Sequence, residues 1–239
     1  MTRKIKIDNA IIKRRSRKEK KRLVGFKSKR IFYLIVCEGE KTEPNYFSSL
    51  KKSLPKGVLE LTQIDIDGTG KNTLSIIEEA KKLRKGYEEK YLRKIDKVWA
   101  VFDKDSFPAR NFNNAIIKGE HSKPKIHCAW TNEAFELWYL LHFNYYNTGL
   151  SRHQYQRLLE KEITKASGKN EYKYKKNSTE MYALLNLYGS QEFAISNAEK
   201  LEKLYNDNSF SNHNPSTKVH LLIKELKELT EEYATQHQI

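Results

Sequence analysis

Carboxylates stand directly behind three of the apolar runs in this chain. Glu38, Glu40 and Glu43 follow Ile31-Phe32-Tyr33-Leu34-Ile35-Val36-Cys37; Asp103 and Asp105 follow Lys97-Val98-Trp99-Ala100-Val101-Phe102; Glu133 and Glu136 follow Ile126–Trp130. A carboxylate placed straight after seven apolar residues is costly unless something cationic meets it. Asp103 and Asp105, two positions apart, project to one side for as long as the backbone stays extended. Carboxylates gathered at one edge repel each other, and a hard divalent cation relieves that repulsion. An oxygen-only donor set suits Mg²⁺ or Mn²⁺. The two cysteines, Cys37 and Cys128, sit inside apolar runs and no imidazole cluster is in view, so neither a zinc module nor a disulfide scaffold is expected. The competing reading is that acids at strand ends only cap helices.

The apolar runs themselves define the elements that must position these acids. Ile31–Cys37 is continuous, β-branched and aromatic, the pattern of a strand buried on both faces. A helix is predicted from about Pro44 to Lys52, with Pro44 suited to a first turn. A second strand is predicted around Leu59–Asp67, and a helix from Asn72 or Thr73 to about Tyr91. A third strand, Lys97–Phe102, precedes a helix near Arg110–Lys118; a fourth, Ile126–Trp130, precedes a helix starting near Asn132 or Glu133. This alternation predicts an α/β fold, a mostly parallel sheet flanked by helices. In such sheets the ligand site lies beyond the carboxyl ends of the strands. Beyond Phe143 no strands are expected. Gln154–Ile163, Glu180–Tyr188, Glu192–Tyr205 and Ser216–Tyr233 show helical periodicity, a helical C-terminal extension with a Tyr-rich loop at Lys165–Lys176.

Charge is unevenly placed. The 239 residues carry a net charge of +15, yet residues 1–30 hold 14 Lys/Arg against two acids, leaving 31 against 28 in the remaining 209. The excess is therefore a basic leader, suited to phosphate binding by counterion release or to solubility alone. The expected organisation is a leader (1–30), an α/β domain (31–146) and a helical region (147–239). No apolar run approaches the roughly 20 residues of a membrane span, and the charged N-terminus is unlike a secretory signal. A cytoplasmic location is expected.

The finer pattern carries a resemblance. An apolar strand ending in Glu-Gly, followed by one ending in Asp-x-Asp, resembles the Toprim domain of topoisomerases, bacterial primases and OLD nucleases. Closer still is the RloB family. Cys37-Glu38-Gly39-Glu40-Lys41-Thr42-Glu43-Pro44-Asn45-Tyr46-Phe47 resembles its opening motif, and Val101-Phe102-Asp103-Lys104-Asp105 its second. Phe135-Glu136-Leu137-Trp138-Tyr139-Leu140-Leu141-His142-Phe143 resembles the third, and Asn214-Pro215-Ser216-Thr217 the last. Glu133-Ala134 stands where that family usually has Pro and a small residue. The resemblance implies a Toprim-like, metal-dependent nuclease of anti-phage defence, with an AAA or ABC-type ATPase partner and RNA, tRNA included, as a plausible target.

Under that reading Glu38, Asp103 and Asp105 hold the metal, and Glu43 holds a second ion, as a second glutamate does in OLD-type sites, with Glu40 as the competitor for that role or else a solvated loop charge. Glu136 ligates or positions the water, while dipole complementation early in a helix is its alternative. Lys41, Lys104, Lys71 and His142 are the expected substrate contacts. Gly68-Thr69-Gly70-Lys71-Asn72-Thr73 lacks phosphate-loop spacing, so ATP hydrolysis by this chain is not expected. Asp103-x-Asp105 also resembles the haloacid-dehalogenase nucleophile motif, but Phe107 stands where Thr or Val belongs. Trp138 is expected in helix core, and Tyr172–Tyr174 in a loop rather than under a stacked base.

Overall fold

The computed structural model describes residues 30–69, 73–168 and 171–237. Ile31–Cys37 forms β1, and its side chains divide by parity, as strand geometry requires. Tyr33, Ile35 and Cys37 enter one apolar cluster and Phe32, Leu34 and Val36 the other, all buried. β2 (Thr62–Gly68), β3 (Lys97–Asp103) and β4 (His127–Asn132) join it in the order β2-β1-β3-β4, each pair parallel. A strand apolar on both faces needs cover on both. α3 (Thr73–Tyr91) and α4 (Ala109–Glu120) cover one face through Ile76, Ile77, Ala80, Phe112, Ala115 and Ile116.

The other face takes α1 (Thr42–Ser53) and α5 (Glu136–Leu140), together with the C-terminal helices α6 (Arg152–Ser167), α7 (Met181–Tyr188), α8 (Gln191–Glu202) and α9 (Val219–His237). Their buried residues, among them Tyr155, Leu159, Leu185, Ala198 and Leu222, belong to the same cluster as Tyr33 and Ile35. At ~1.5–3 kcal/mol per large apolar side chain buried, that shared core ties residues 152–237 firmly to the sheet. Trp138, fully buried, donates its indole N–H to the Tyr46 hydroxyl at 2.9 Å and so fastens α5 to α1.

Four differences from the predicted elements have physical causes. A helix α2 (Lys56–Leu61) precedes β2, so the strand starts at Thr62 rather than Leu59. Leu59 is held there by a bond from its N–H to the Pro55 carbonyl. α5 begins at Glu136, because residues after Asn132 are first used to tie the chain to the β3 exit, the Asp105 N–H donating to the Glu133 carbonyl at 2.9 Å. Beyond Phe143 there is a strand after all: β5 (Ser216–Thr217) pairs antiparallel with β4 and displaces the expected helix start to Val219. Finally, β3 stops at Asp103 and Asp105 adopts φ +37°, so the two aspartates do not share one extended run. Among the described residues no helix is long and apolar enough to cross a membrane.

Candidate functional site

β1, β3 and β4 run the same way, so their carboxyl ends share one edge. Cys37 pairs with Val101, and the Glu38 N–H donates to the Val101 carbonyl at 2.8 Å, which carries the Glu38 side chain across to β3. There its Oε2 accepts the Asp103 N–H at 3.2 Å. Residues 65 positions apart are thus brought into contact by register alone. Asp103, 6% exposed, accepts on Oδ2 from the Phe135 N–H at 3.1 Å and from Arg152 Nη2 at 3.3 Å. The Lys104 N–H donates to the Thr131 carbonyl at 2.8 Å, pinning the turn that follows to β4. Asp105, despite its left-handed backbone, lies 3.3 Å from the same Arg152 nitrogen.

Several residues of the opening motif have a local cause. Glu43, Tyr46, Phe47 and Leu50 are the buried face of α1. Thr42, Asn45 and Ser49, at helical spacing, donate to the carbonyls of Lys176, Asn177 and Thr179 and dock that segment over the site. A Cβ at Gly39 would stand 2.3 Å from Glu43 Oε2, so the glycine leaves room for that carboxylate where it now lies. Gly68, at the end of β2, closes against Pro44 and the Gly39 carbonyl in the same way, at 2.8 and 2.9 Å.

These residues line a cleft of about 480 Å³. Its walls carry six carboxylates (Glu38, Glu40, Glu43, Asp103, Asp105 and Glu136) against three cations, Lys41, Arg152 and Lys176. The electrostatics are tense. Burial, then repulsion from Glu43, pushes the Asp103 carboxyl well above its ordinary range, against the pull of Arg152. Burial raises Glu43 too, opposed by a backbone N–H and reinforced by Glu136. Burial also raises the Tyr174 hydroxyl, reinforced by Glu136. Burial disfavours the Arg152 charge, but Asp103, Glu136 and Asp105 more than offset this and hold the guanidinium more firmly protonated than usual.

The donor set is oxygen-only and suits a hard divalent cation by its chemistry. As folded, no three His, Cys, Asp or Glu side chains among the described residues are grouped as metal ligands would be. A guanidinium stands among the carboxylates instead.

Of the residues expected from sequence, Glu38, Glu43, Asp103, Asp105, Glu136 and Lys41 line the cleft together. Lys104 does not; its ammonium turns back to the Asp105 carbonyl at 3.2 Å. His142 is buried away from the lining, its Nδ1 on the Trp138 carbonyl at 2.9 Å, and burial lowers its pKa to about 4. Lys71 and the basic leader to residue 29 lie outside the described residues. Tyr172 and Tyr174 pack against the core cluster.

Sequence reasoning missed Arg152 and Gln156, whose Nε2 donates to Glu136 Oε1 at 2.8 Å, and read Lys176 only as part of the Tyr-rich loop. One local signal was present for Arg152: Ser151 and Gln154 form a capping box, which starts α6 at residue 152. Nothing local says that this turn lies against Asp103.

The last motif acts from a distance. Thr217 Oγ1 meets Thr131 Oγ1 at 2.9 Å on β4, and the Asn214 side chain packs so tightly on Gly149 that a Cβ would come within 2.8 Å. Gly149 leads directly into the Ser151 cap, so Asn214, just before β5, braces the loop that delivers Arg152.

No curated protein and no solved structure matches the chain. The family model for RloB-like proteins matches residues 33–226, from β1 to α9 and so across every cleft residue described above, and the chain belongs to the RloB-like family.

Proposed function

We propose that this chain is a metal-dependent endonuclease of Toprim type. RNA, tRNA included, is the favoured substrate over DNA, and the chain acts as the toxic effector of an anti-phage system with an AAA or ABC-type ATPase partner in the cytoplasm. The observation that carries the reading is the sign of the cleft. A protein of net charge +15 places six carboxylates against three cations at the carboxyl edge of its sheet. Carboxylates outnumber cations there, so an approaching phosphate is repelled, and an added cation would relieve that repulsion.

Glu38, Asp103, Asp105 and Glu43 would hold Mg²⁺ or Mn²⁺, which when bound supplies charge neutralisation on the phosphoryl group and an acidified water. Hydrolysis joins the water oxygen to phosphorus, breaks the bond to one ester oxygen and delivers a proton to that leaving oxygen. Glu136, its Oε1 tied to Gln156, would orient the water through Oε2. Lys41 and Lys176, at the lining, would balance the phosphate charge. Cleavage of labelled RNA and DNA by the Asp103→Asn/Asp105→Asn protein tests this. Loss of Mg²⁺- or Mn²⁺-stimulated cleavage with an unchanged circular dichroism spectrum supports it; undiminished cleavage refutes it.

One observation favours a second reading, a non-catalytic nucleic-acid-binding or ATPase-regulating subunit. Arg152 already pairs with Asp103 and Asp105, as in a cleft retained as scaffold. Under that reading the chain binds nucleic acid with no dependence on divalent cation and never cleaves it.

A further inference from the structure

Arg152 is the cation that the carboxylates now share. Its Nη2 lies 3.3 Å from Asp103 Oδ2 and 3.3 Å from Asp105 Oδ2, and its Nε lies 3.9 Å from Glu136 Oε2. A structural bridge between Arg and carboxylate is frequently bidentate, with two parallel N–H···O bonds of ~2.7–2.9 Å. Here one nitrogen serves two acids at longer range, and the buried Nε has no hydrogen-bond partner among the described residues. The guanidinium therefore fills the charge deficit without fitting the oxygens. Oxygens drawn around one divalent ion stand ~2.0–2.1 Å from it, far closer than any of them approaches Arg152.

We propose that Arg152 is a resident counter-ion that occupies the place of the divalent cation and is displaced when that cation binds. The proposal rests on the reading of the cleft as a metal site. Metal loading is then an exchange, a diffuse single charge leaving as a compact double charge enters. The affinity observed for the metal is the intrinsic affinity reduced by the stability of the Arg152 contacts. The sequence supports an arm able to move: Arg152 is the first residue of α6, held at its backbone by the Ser151–Gln154 cap, with a quarter of its side chain exposed.

The test is Mn²⁺ binding by calorimetry, with no nucleic acid present, to the full chain and to Arg152→Gln. Arg157→Gln, on the same helix but lining a separate surface groove, is the control. The expected result is at least tenfold tighter binding by Arg152→Gln and no change in Arg157→Gln. Equal or weaker binding by Arg152→Gln, with the wild type binding Mn²⁺, overturns the counter-ion role and leaves the metal reading standing. No saturable binding by either protein overturns both. Should Arg152→Gln fail to fold, the wild type alone decides through the ¹⁵Nε resonance of Arg152 during a Mg²⁺ titration, assigned from the spectrum of Arg152→Lys. Displacement moves that resonance in step with Mg²⁺ occupancy, and a resonance unmoved at saturation overturns the proposal.

Discussion

At the scale of single residues, the cleft trades stability for charge. Asp103 and Glu43 hold protons more firmly in the folded chain than in the unfolded one, so the folded state binds more protons above the ordinary carboxylate range. Stability contributed by these groups is accordingly lost as pH rises through that window. Asp103→Asn keeps an acceptor for the Phe135 N–H and removes the disfavoured charge. Without divalent cation at neutral pH it is expected to raise the melting temperature by roughly 2–4 °C, about 1 kcal/mol for a chain of this size. A lowered melting point would show that the Arg152 pair dominates. His142 works in the opposite direction. Its folded pKa of about 4 lies below the ordinary 6.5, so the unfolded chain binds the proton first and stability falls as pH drops from 6.5 towards 4. Relative to His142→Gln, the wild type should lose stability over that interval at up to about 1.4 kcal/mol per pH unit. Parallel unfolding curves for the two proteins at pH 7, 6 and 5 would contradict a buried neutral imidazole.

At the scale of elements, the site is a consequence of parallel register. Glu38 meets Asp103 because Cys37 pairs with Val101, and the Asp105 turn holds because the Lys104 and Asp105 N–H groups continue the β3–β4 ladder past the end of the strand. The brace from Asn214, just before β5, is the least obvious part. Gly149→Ala would force Asn214 aside and loosen the loop before Arg152. Hydrogen exchange should then accelerate together in residues 149–155 and 214–219, with β1 and β3 unchanged; acceleration confined to the mutated loop would show that β5 is not coupled to it. These features also mark what was legible in sequence. β1, β3 and β4 could be read because unbroken β-branched and aromatic runs have one economical use, and the acids behind them follow from parallel order. β5 could not, because two residues carry no periodicity and its pairing with Thr131 is a long-range choice. Arg152 was hidden for a related reason. An arginine in the first turn of a helix reads as a solvated charge, and only the packing of α6 on α5 turns it inward.

At the scale of the whole molecule, the cleft is acidic while the excess of basic residues lies in the leader. Residues 31–239 are nearly balanced in charge, while residues 1–30 carry 14 Lys/Arg. Deleting residues 1–29 is expected to weaken nucleic-acid binding and flatten its dependence on salt, by a slope of ~0.7–0.9 for each phosphate that the leader neutralises. Mn²⁺ affinity should not change. An unaltered salt slope would show that the leader takes no part in binding. The central claim is that distant stretches of chain gather their carboxylates to hold a divalent cation. Mn²⁺ electron paramagnetic resonance on the full chain and on Asp103→Asn/Asp105→Asn reads it most directly. The account predicts saturable loss of the free-ion signal with the wild type and none with the double variant. Equal uptake by both proteins, or no uptake by the wild type at millimolar Mn²⁺, would contradict it.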